Sequence, residues 1–404
     1  MLMLALIACG QDAADTAATP TWHEDVEPIV ETYCMGCHNE FGVGRGDFTS
    51  YDLAYPNADR MAAWVSSGEM PLPSADPECR PYRGHEHLVM ADEDQATLIA
   101  WADGGAPEGD EQNGDGTATS FGRHLDDVDV SLPMPFTAQV KPKDDGNHYF
   151  CMVLDNPITE PLYVTGFDLE LDNTPVVHHT LLIRDHGGDA GAGYGVTDTS
   201  AGFDCRDPII ENDWEILHGW APGMEPVTFD DGFGIKIEPG DQLVLQMHYY
   251  GEPGATYEDA TVYWLQTSDT APGEVYLDVR GPENFEIPQS EAYSKTRSYK
   301  NTYGVDVRLR GIWPHMHLLG DSYQAWLLDD EGNRDTCLVT GAYDFDHQFM
   351  YLFDEPVTWP SGDKIELTCG WDNTESNPNA VDGVVTYGEG TSEEMCYFLY
   401  YASL

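Results

Sequence analysis

A Gly- and acid-rich stretch, GGAPEGDEQNGDGTATSFG (residues 104–122), divides the chain into two parts with different hydrophobic periodicities. Before it, HEDVEPIVETYCMGCH and DEDQATLIAWADGG repeat apolar residues every three or four positions, which is typical of helices. After it, short alternating segments lie between turn residues, and FGIKIEPGDQLVLQMHYYG predicts two strands around EPGD. We therefore predict a helical part, a flexible linker and a long β part.

The 404 residues are enough for two or three domains. The β pattern is too long for one small sandwich, so two antiparallel sandwiches in tandem are predicted. In the second helical segment, Asp92 and Gln95 predict a capping box and Gly104 predicts the helix end. The predicted boundaries are a signal and tether at 1–20, an all-α domain at 21–108 and an acidic flexible linker at 109–130. Two all-β domains follow, at 131–285 and 286–404.

The charge balance is strongly acidic, with 18 Lys and Arg against 72 Asp and Glu and a formal net charge of −54. Phosphate binding needs Lys and Arg, so nucleic acid is excluded as a partner. An anionic membrane surface would also repel the chain. Two explanations of this charge stay open. One is a solvated acidic coat that maintains solubility, and the other is adaptation to high salt, where screening relieves self-repulsion.

The first ten residues, MLMLALIACG, form a short apolar run that contains Cys9 and resembles the lipobox of bacterial lipoproteins. The resemblance implies cleavage before Cys9 and lipidation of that cysteine. An extracytoplasmic protein of the bacterial periplasm or cell surface, lipid-anchored through Cys9, is therefore expected. The run is brief and the first basic residue is Arg45, so an accidental likeness stays open. No other stretch approaches a membrane-spanning length.

CMGCH places Cys34, Cys37 and His38 in a CxxCH motif at the end of a predicted amphipathic helix. In such motifs two thioethers attach the haem, and the histidine is the proximal iron ligand. Covalent haem c and a small cytochrome c domain are therefore predicted, with a chance pair of cysteines as the alternative. Haem c is attached outside the cytoplasm, which supports export.

The sixth iron ligand is predicted downstream, in SSGEMPLPS, where Met70 precedes Pro71. Small c-type cytochromes resemble this pattern, with a Met-Pro loop followed by a terminal helix. Met61 and Met90 are the competing candidates. His/Met ligation raises the iron potential and suits transfer of single electrons.

The segment GIWPHMHLLG carries His315 and His317 on alternate positions, so in a strand the two rings share a face. Pro314 predicts an edge or a strand end there. Imidazole pairs of this kind suit zinc, copper, iron or nickel, and a pair of buried, hydrogen-bonded histidines is the alternative.

Further candidate ligands recur along the β part: His178 and His179 in TPVVHHTLLI, His248 in LVLQMHYYG, and Met395 before Cys396 in EEMCYF. The order His-His, Gln-x-His, His-x-His and Glu-Met-Cys resembles the copper type II monooxygenases, the family of peptidylglycine alpha-hydroxylating and dopamine beta-monooxygenase. The resemblance covers roughly residues 135–404.

This resemblance implies two jelly-roll domains that hold one copper ion each and face each other across a solvent cleft. The first ion would be bound by His178, His179 and His248. The second would be bound by the catalytic set of His315, His317 and Met395, where O2 reacts, because a soft thioether favours Cu(I). Adjacent residues of a regular strand point to opposite faces, so His178 and His179 converge only at a bulge or through different ring nitrogens.

The fold class expected from both resemblances is a small all-α cytochrome c domain followed by two tandem all-β jelly-roll sandwich domains. The implied reaction is hydroxylation of a C–H bond of a small organic substrate, with one oxygen atom in the product and one in water. Two electrons per turnover would come from an external donor, an ascorbate-like reductant or a redox protein. We expect the haem to relay them to the all-histidine copper, while service to another partner stays open.

Substrate-binding positions depart from the peptide-amidating enzymes. Their Arg before His-x-His and their Tyr and Asn after the ligand Met are replaced here by Trp313, Leu399 and Tyr397. Peptide amidation is therefore not expected. An apolar or aromatic substrate fits these residues, and a packing role for Trp313 is the alternative.

Six cysteines remain after Cys9 and the CxxCH pair, at positions 79, 151, 205, 337, 369 and 396. An even number in an exported protein predicts disulfides. The family resemblance implies a Cys369–Cys396 bridge, and the other pairings stay open.

Two other functions compete with the monooxygenase. The first is a non-catalytic extracytoplasmic electron-transfer or copper-binding haem protein. The second, a zinc or iron hydrolase, is disfavoured by Met395, because a thioether is a poor ligand for hard oxygen chemistry.

Overall fold

The structure is a computed structural model that describes residues 19–39, 44–110, 124–144, 146–205, 213–222, 224–229, 231–345, 347–388 and 390–404. The predicted lipidation site Cys9 and part of the predicted linker, residues 111–123, lie outside the described residues. The chain is predominantly β. None of the helices in the described ranges combines the length and the apolar character that crossing a bilayer requires.

The helices of the N-terminal part surround their own apolar cluster, in which Trp22, Leu98 and Trp101 are fully buried. A π-helical turn at Trp22–Val26 leads into the first α-helix, and CMGCH follows that helix, as predicted. The α-helices are α1 (Glu27–Tyr33), α2 (Tyr51–Ala54), α3 (Ala58–Ser67), α4 (His85–Leu88) and α5 (Asp92–Asp103).

The predicted end of α5 at Gly104 is confirmed, but the predicted capping box is wrong. The N-cap residue is Ala91, which has no side-chain cap, and Asp92 is already helical. The Gln95 side chain does not reach back to the helix N-terminus, because it donates to the carbonyl of Val65 at 2.7 Å. Gln95 therefore makes a hydrogen bond to α3 in place of the predicted capping hydrogen bond within α5.

The first group of strands forms two five-stranded antiparallel sheets, β1-β12-β4-β8 with β9 on β4, and β6-β3-β10-β5-β7, and a small β11-β2 pair. These strands are β1 (Val130–Pro133), β2 (Ala138–Val140), β3 (Asn147–Leu154), β4 (Leu162–Glu170), β5 (Val177–Asp185), β6 (Phe203–Asp204), β7 (Trp214–Trp220), β8 (Val227–Thr228), β9 (Ile235–Ile237), β10 (Gln242–Tyr250), β11 (Tyr257–Asp259) and β12 (Val262–Ser268).

The two strands predicted around EPGD are present as β9 and β10, but they do not pair with each other. β9 pairs with β4, and β10 lies between β3 and β5 in the other sheet. The turn therefore carries the chain from one sheet to the other. Contacts between Phe167 on β4, His218 on β7 and Tyr263 on β12 show that the two sheets face each other.

The second group of strands forms two four-stranded antiparallel sheets, β13-β22-β16-β19 and β15-β20-β17-β18, and a small β14-β21 pair. These strands are β13 (Val275–Arg280), β14 (Glu286–Ile287), β15 (Ala292–Lys300), β16 (Val307–His315), β17 (Gly320–Leu328), β18 (Arg334–Ala342), β19 (Tyr351–Trp359), β20 (Lys364–Asp372), β21 (Val385–Thr386) and β22 (Tyr397–Ser403). β13 precedes the predicted boundary at 285/286, yet it pairs with β22.

Three disulfides join distant parts of the chain. Cys369–Cys396, the bridge implied by the family resemblance, is present. Cys151–Cys205 links β3 to the residue after β6, and Cys79–Cys337 links the helical part to β18. Three disulfides of this kind are typical of proteins that fold in an oxidising compartment.

The buried His218 predicts an acid sensitivity of the first sheet pair. Burial lowers the pKa of His218 to about 3, whereas in the unfolded chain the ring titrates near its usual value of about 6.5. Between these two values the unfolded state binds the extra proton. This group therefore stabilises the fold above about pH 6.5, and that stability is lost as the pH falls, by up to about 1.4 kcal/mol per pH unit.

The test compares wild type with His218→Phe by urea unfolding at pH 7 and pH 5. The free energy of unfolding is expected to fall more in wild type over this interval than in the variant. His186→Gln is the matched control, because His186 is exposed and its loss leaves the interior unchanged. Equal pH dependence in wild type and His218→Phe would contradict the assignment.

Candidate metal centre

Three histidines of the first sheet pair bring their Nδ1 atoms together. His178 and His179 lie on β5, and His248 lies on the neighbouring β10. The Nδ1 atom of His179 is 3.2 Å from Nδ1 of His178 and 3.3 Å from Nδ1 of His248. One ligand atom from each ring lies within 4.8 Å of the others, so the three can share a metal ion.

A break in the β5–β10 register explains how adjacent histidines converge. His248 pairs with His179, but the next residue of β10, Tyr249, pairs with Val177. His178 is therefore the extra residue of a bulge, and a bulge re-aims the side chain that it carries. Of the two routes to convergence considered from sequence, the structure shows the bulge, and both rings present the same nitrogen.

The spacing of these nitrogens fits a bound metal. A neutral imidazole has one N–H and one lone pair, and Nε2 of His248 already lies 2.7 Å from Oδ1 of Asn147, an acceptor. Nδ1 of His248 is then a lone pair directed at His179. Four-coordinate ions with bonds of about 2.0 Å hold neighbouring ligand atoms about 3.3 Å apart, which matches the observed separations.

Burial keeps these rings neutral. It lowers the pKa of His178 to about 4, and it lowers the pKa values of His179 and His248 well below the usual range, with a further contribution from the neighbouring rings. A histidine must be deprotonated to bind a metal, so no proton competes for these lone pairs at neutral pH. The backbone of Phe345 favours the charged form of His178, but burial outweighs this effect.

The second candidate set lies at the end of β16. The strand stops at His315, directly after Pro314, so the predicted strand end is confirmed, although β16 lies inside its sheet. His315 pairs with Tyr397 of β22, and continuing that register by two residues would bring His317 opposite Met395. Met395 is buried. The N–H of His317 donates to Oε2 of Glu394 at 3.0 Å, which fixes this approach.

Both rings of the second set have an acceptor for one nitrogen. Nδ1 of His315 lies 2.6 Å from Oε1 of Gln348, and Nδ1 of His317 lies 3.1 Å from the carbonyl of Glu393. These partners hold the proton on Nδ1 and leave the Nε2 lone pair for a metal. Burial lowers the pKa of His317 to about 3 and also lowers the pKa of His315.

The two sets lie side by side instead of facing each other across a wide cleft. The ring centroids of His179 and His315 are 6.1 Å apart. These two rings keep partial exposure, whereas His178, His248 and His317 are buried. The hydrogen bond from Nδ2 of Asn147 to Oγ1 of Thr391 also connects the two sets, because Thr391 belongs to the loop that holds His317.

Glu394 is a site residue to which sequence reasoning gave no role. Its carboxylate accepts hydrogen bonds from the backbone N–H groups of His317, Leu319 and Met395 and from Nε1 of Trp371. Burial raises its pKa to about 7, while the four donors pull the pKa down. The sequence signal was its place before Met395, but its partners come from two other strand ends. Asn147 and Gln348 carried no such signal.

The departures from the peptide-amidating enzymes are packed inside the protein. A Cβ on Gly219 would lie 2.2 Å from Cζ3 of Trp313, so the indole fills the junction between the two sheet pairs at a glycine of β7. Trp313 pairs with Leu399 across β16 and β22. The Tyr397 hydroxyl donates to Glu283 at 2.9 Å. The packing alternative for Trp313 therefore fits the structure.

Three of the four predicted haem residues line one small cavity in the helical part. This cavity, of about 30 Å³, is lined by Cys34, His38 and Met70, and also by the competing Met61 and Met90, whereas Cys37 does not line it. Cys34 and Cys37 are free thiols, and burial raises their pKa values to about 12 and about 11. His38 stacks on Phe48, and its Nδ1 lies 3.1 Å from the carbonyl of Arg45.

This arrangement fits an attached haem. Because Nδ1 of His38 donates to the carbonyl of Arg45, its Nε2 lone pair could bind iron. Burial lowers the pKa of His38, which keeps the ring neutral. The neutral, partly buried thiols of Cys34 and Cys37 are poor ligands for a hard cation, and their CxxCH spacing is the one used for thioether attachment.

The class that the described structure defines is a mainly β protein with a histidine cluster that can share a metal ion. Among known families, residues 282–404, which include His315, His317 and Met395, match the C-terminal domain of copper type II ascorbate-dependent monooxygenases. No curated protein matches the chain.

Solved structures give only remote similarities. The major capsid protein P2 from bacteriophage PM2 aligns over 68% of this chain and 97% of its own, with 9% identity and a TM-score of 0.27. The infectious bursal disease virus VP2 subviral particle aligns over 68% and 71%, with 9% identity and a TM-score of 0.17. The PBSX exported protein XepA aligns over 60% and 86%, with 11% identity and a TM-score of 0.18. Similarities this low support no conclusion about function.

Glu394→Gln is expected to destabilise the protein by about 1–3 kcal/mol, because a carboxamide turns an NH₂ group toward N–H donors and leaves a buried donor unpaired. Urea unfolding measures this loss. Glu375→Gln is the matched control, since Glu375 is an exposed glutamate that follows β20. If the two variants were equally stable, Glu394 would not organise the loop.

Proposed function

We propose that this chain is a copper-dependent monooxygenase that hydroxylates a C–H bond of a small organic substrate with O2. One observation carries the proposal: five histidines from the two sheet pairs converge, three of them with lone pairs at metal-ligand spacing. The family match at residues 282–404 supports copper and the oxidoreductase class.

Two copper ions are proposed. His178, His179 and His248 would hold the first, and His315, His317 and Met395 would hold the second. Imidazole and thioether are ligands that suit copper, and the thioether favours Cu(I) at the second site. Copper bound there would supply the redox chemistry for O2 activation, with one oxygen atom entering the product and the other leaving as water.

The protein's own groups prepare these sites. Asn147, Gln348 and the carbonyl of Glu393 hold the ring protons of His248, His315 and His317 away from the lone pairs that bind metal. Burial keeps all five rings neutral. The partly exposed rings of His179 and His315 face each other, so substrate and O2 would approach between them.

An attached haem c is proposed as the internal electron carrier. Cys34 and Cys37 would form the thioethers, His38 would be the proximal ligand and Met70 the distal one. The cavity that brings Cys34, His38 and Met70 together supports this assignment. An external donor, an ascorbate-like reductant or a redox protein, would reduce the haem again after each transfer.

Export to the periplasm or cell surface is part of the proposal, with a lipid anchor at Cys9. The three disulfides support an oxidising compartment. Trp313 and Leu399 are buried and uncharged, so neither can bind a substrate carboxylate. This favours a substrate other than a peptide C-terminus.

The test combines metal content with substrate-dependent O2 uptake. The purified protein is expected to hold two copper ions per chain and to transfer labelled oxygen into a product from a metabolite library. His248→Ala is expected to lose the copper ion of the first site, because only two imidazoles remain there. The variant should therefore retain one copper ion per chain and lose product formation. His186→Gln, an exposed histidine change, is the control and is expected to behave as wild type.

Two coppers without O2 uptake under any reductant would reject the monooxygenase and leave the non-catalytic electron-transfer protein. An unchanged copper content in His248→Ala would reject the ligand assignment.

A further inference from the structure

The segment that follows Met70 leaves the helical part and lies on the second sheet pair. Ala75 forms a β-bridge with Gly341 of β18, and Tyr82 forms one with Phe353 of β19. We call residues 71–83 the strap. Ala75 and Tyr82 belong to the apolar core of the β part, not to the helical cluster. The predicted domain of 21–108 is thus continuous with the β part at its centre.

The strap is fixed at both ends of its contact. The N–H of Asp76 donates to Thr340 at 2.8 Å, and the N–H of Arg83 donates to Leu352 at 2.9 Å. Between them, the Cys79–Cys337 disulfide joins strap and sheet covalently. Gly341 permits the close approach, because a Cβ there would lie 2.8 Å from the carbonyl of Ser74.

The strap also touches the loop that supports the second metal set. The carbonyl of Pro73 accepts a hydrogen bond from Nδ1 of His347 at 3.0 Å. The next residue, Gln348, accepts one from Nδ1 of His315 at 2.6 Å. A continuous path therefore connects Met70 with a proposed copper ligand. It follows the backbone from Met70 to Pro73, crosses a hydrogen bond to His347, passes along the chain to Gln348 and crosses a second hydrogen bond to His315.

The route to the first metal set is longer. Gln348 donates from Nε2 to the carbonyl of Phe345 at 3.0 Å, and the Phe345 ring stacks on His178 at a centroid distance of 4.5 Å. The Phe345 backbone also contacts His178, but Nε2 of His178 makes no hydrogen bond of ordinary length among the described residues, so this branch adds one hydrogen bond and a weaker contact. Because electron tunnelling weakens steeply with every gap between atoms, the hydrogen-bonded branch to His315 is the better conductor.

We infer that the strap and the His347–Gln348 pair form the electron route from the haem, and that the route enters at the copper of His315 and His317. The inference rests on the proposed function, and it replaces the expected entry at the all-histidine copper. In each transfer, one electron leaves ferrous haem iron, which becomes ferric, and reduces Cu(II) to Cu(I). No atom or proton is transferred. His347 is a positioning residue in this scheme.

The experiment uses the full chain loaded with haem and Cu(II) without O2. A light flash excites an added photosensitiser, which passes one electron from an added sacrificial amine donor to the ferric haem. The reoxidation of the haem is followed by its absorbance, while the Cu(II) resonance signal reports the acceptor. A fast phase is expected in wild type and in His248→Ala. His317→Ala, which lacks the second copper, is expected to lose it.

His347→Phe is expected to lose the fast phase, because it keeps a ring but removes the donor to Pro73. The haem spectrum, the haem potential and the copper content are expected to stay unchanged, which a general structural defect would not allow. His347→Gln restores a donor and is expected to recover the phase. Tyr82→Phe is the matched control, since it removes a strap hydrogen bond to Ala75 outside the route.

A fast phase kept in His347→Phe, or lost in His248→Ala but kept in His317→Ala, would overturn the inferred route. A chain without haem would overturn the route and the haem proposal together. Fast transfer in the predicted pattern without product formation would uphold the route and count against the monooxygenase alone.

Discussion

The burial of five neutral imidazoles in one small volume is the constraint on which the rest of the structure depends. Each neutral ring has one lone pair and one N–H, and a buried polar group without a partner is costly. For His248, His315 and His317 the N–H is matched by Asn147, Gln348 and a backbone carbonyl. Nδ1 of His179 lies beside Nδ1 of both His178 and His248, and it carries one proton at most. A bound cation would accept all three lone pairs at once, which is the reason for proposing a metal at this site.

The same constraint explains why the supporting groups come from so many strands. A metal ligand is useful only if its ring is held, and rings on strands are held by neighbours across the sheet. The β5 bulge turns His178 toward His179, while the Glu394 carboxylate collects N–H groups from the ends of β16, β20 and β22. Cys369–Cys396 ties two of those ends together. The metal centre and the strand ends are therefore stabilised by the same contacts.

The sequence predicted what depends on local pattern and failed where tertiary contacts decide. The helical part, the β part, the CxxCH turn after α1 and the strand end at Pro314 follow from periodicity and backbone chemistry. The capping box at Asp92 failed because Gln95 has a better partner on α3. The two strands predicted around EPGD are present, but the local pattern could not show that they join different sheets. Gln348 and Asn147 could not be found, since an amide becomes a site residue only when a distant histidine arrives beside it.

The strap changes how the helical part must be understood. A domain joined to its neighbour only by an acidic linker would sample many positions, and electron transfer would then depend on chance encounters. Here the segment after Met70 is instead bonded to β18 and β19 and cross-linked by Cys79–Cys337. The carbonyl of Pro73 in this segment also accepts the hydrogen bond from His347. The cysteine pair that composition alone left unassigned thus has a role, because Cys79–Cys337 joins the helical part covalently to β18. The proposed haem and the proposed copper sites would therefore be connected by backbone and side-chain contacts as well as by the acidic linker.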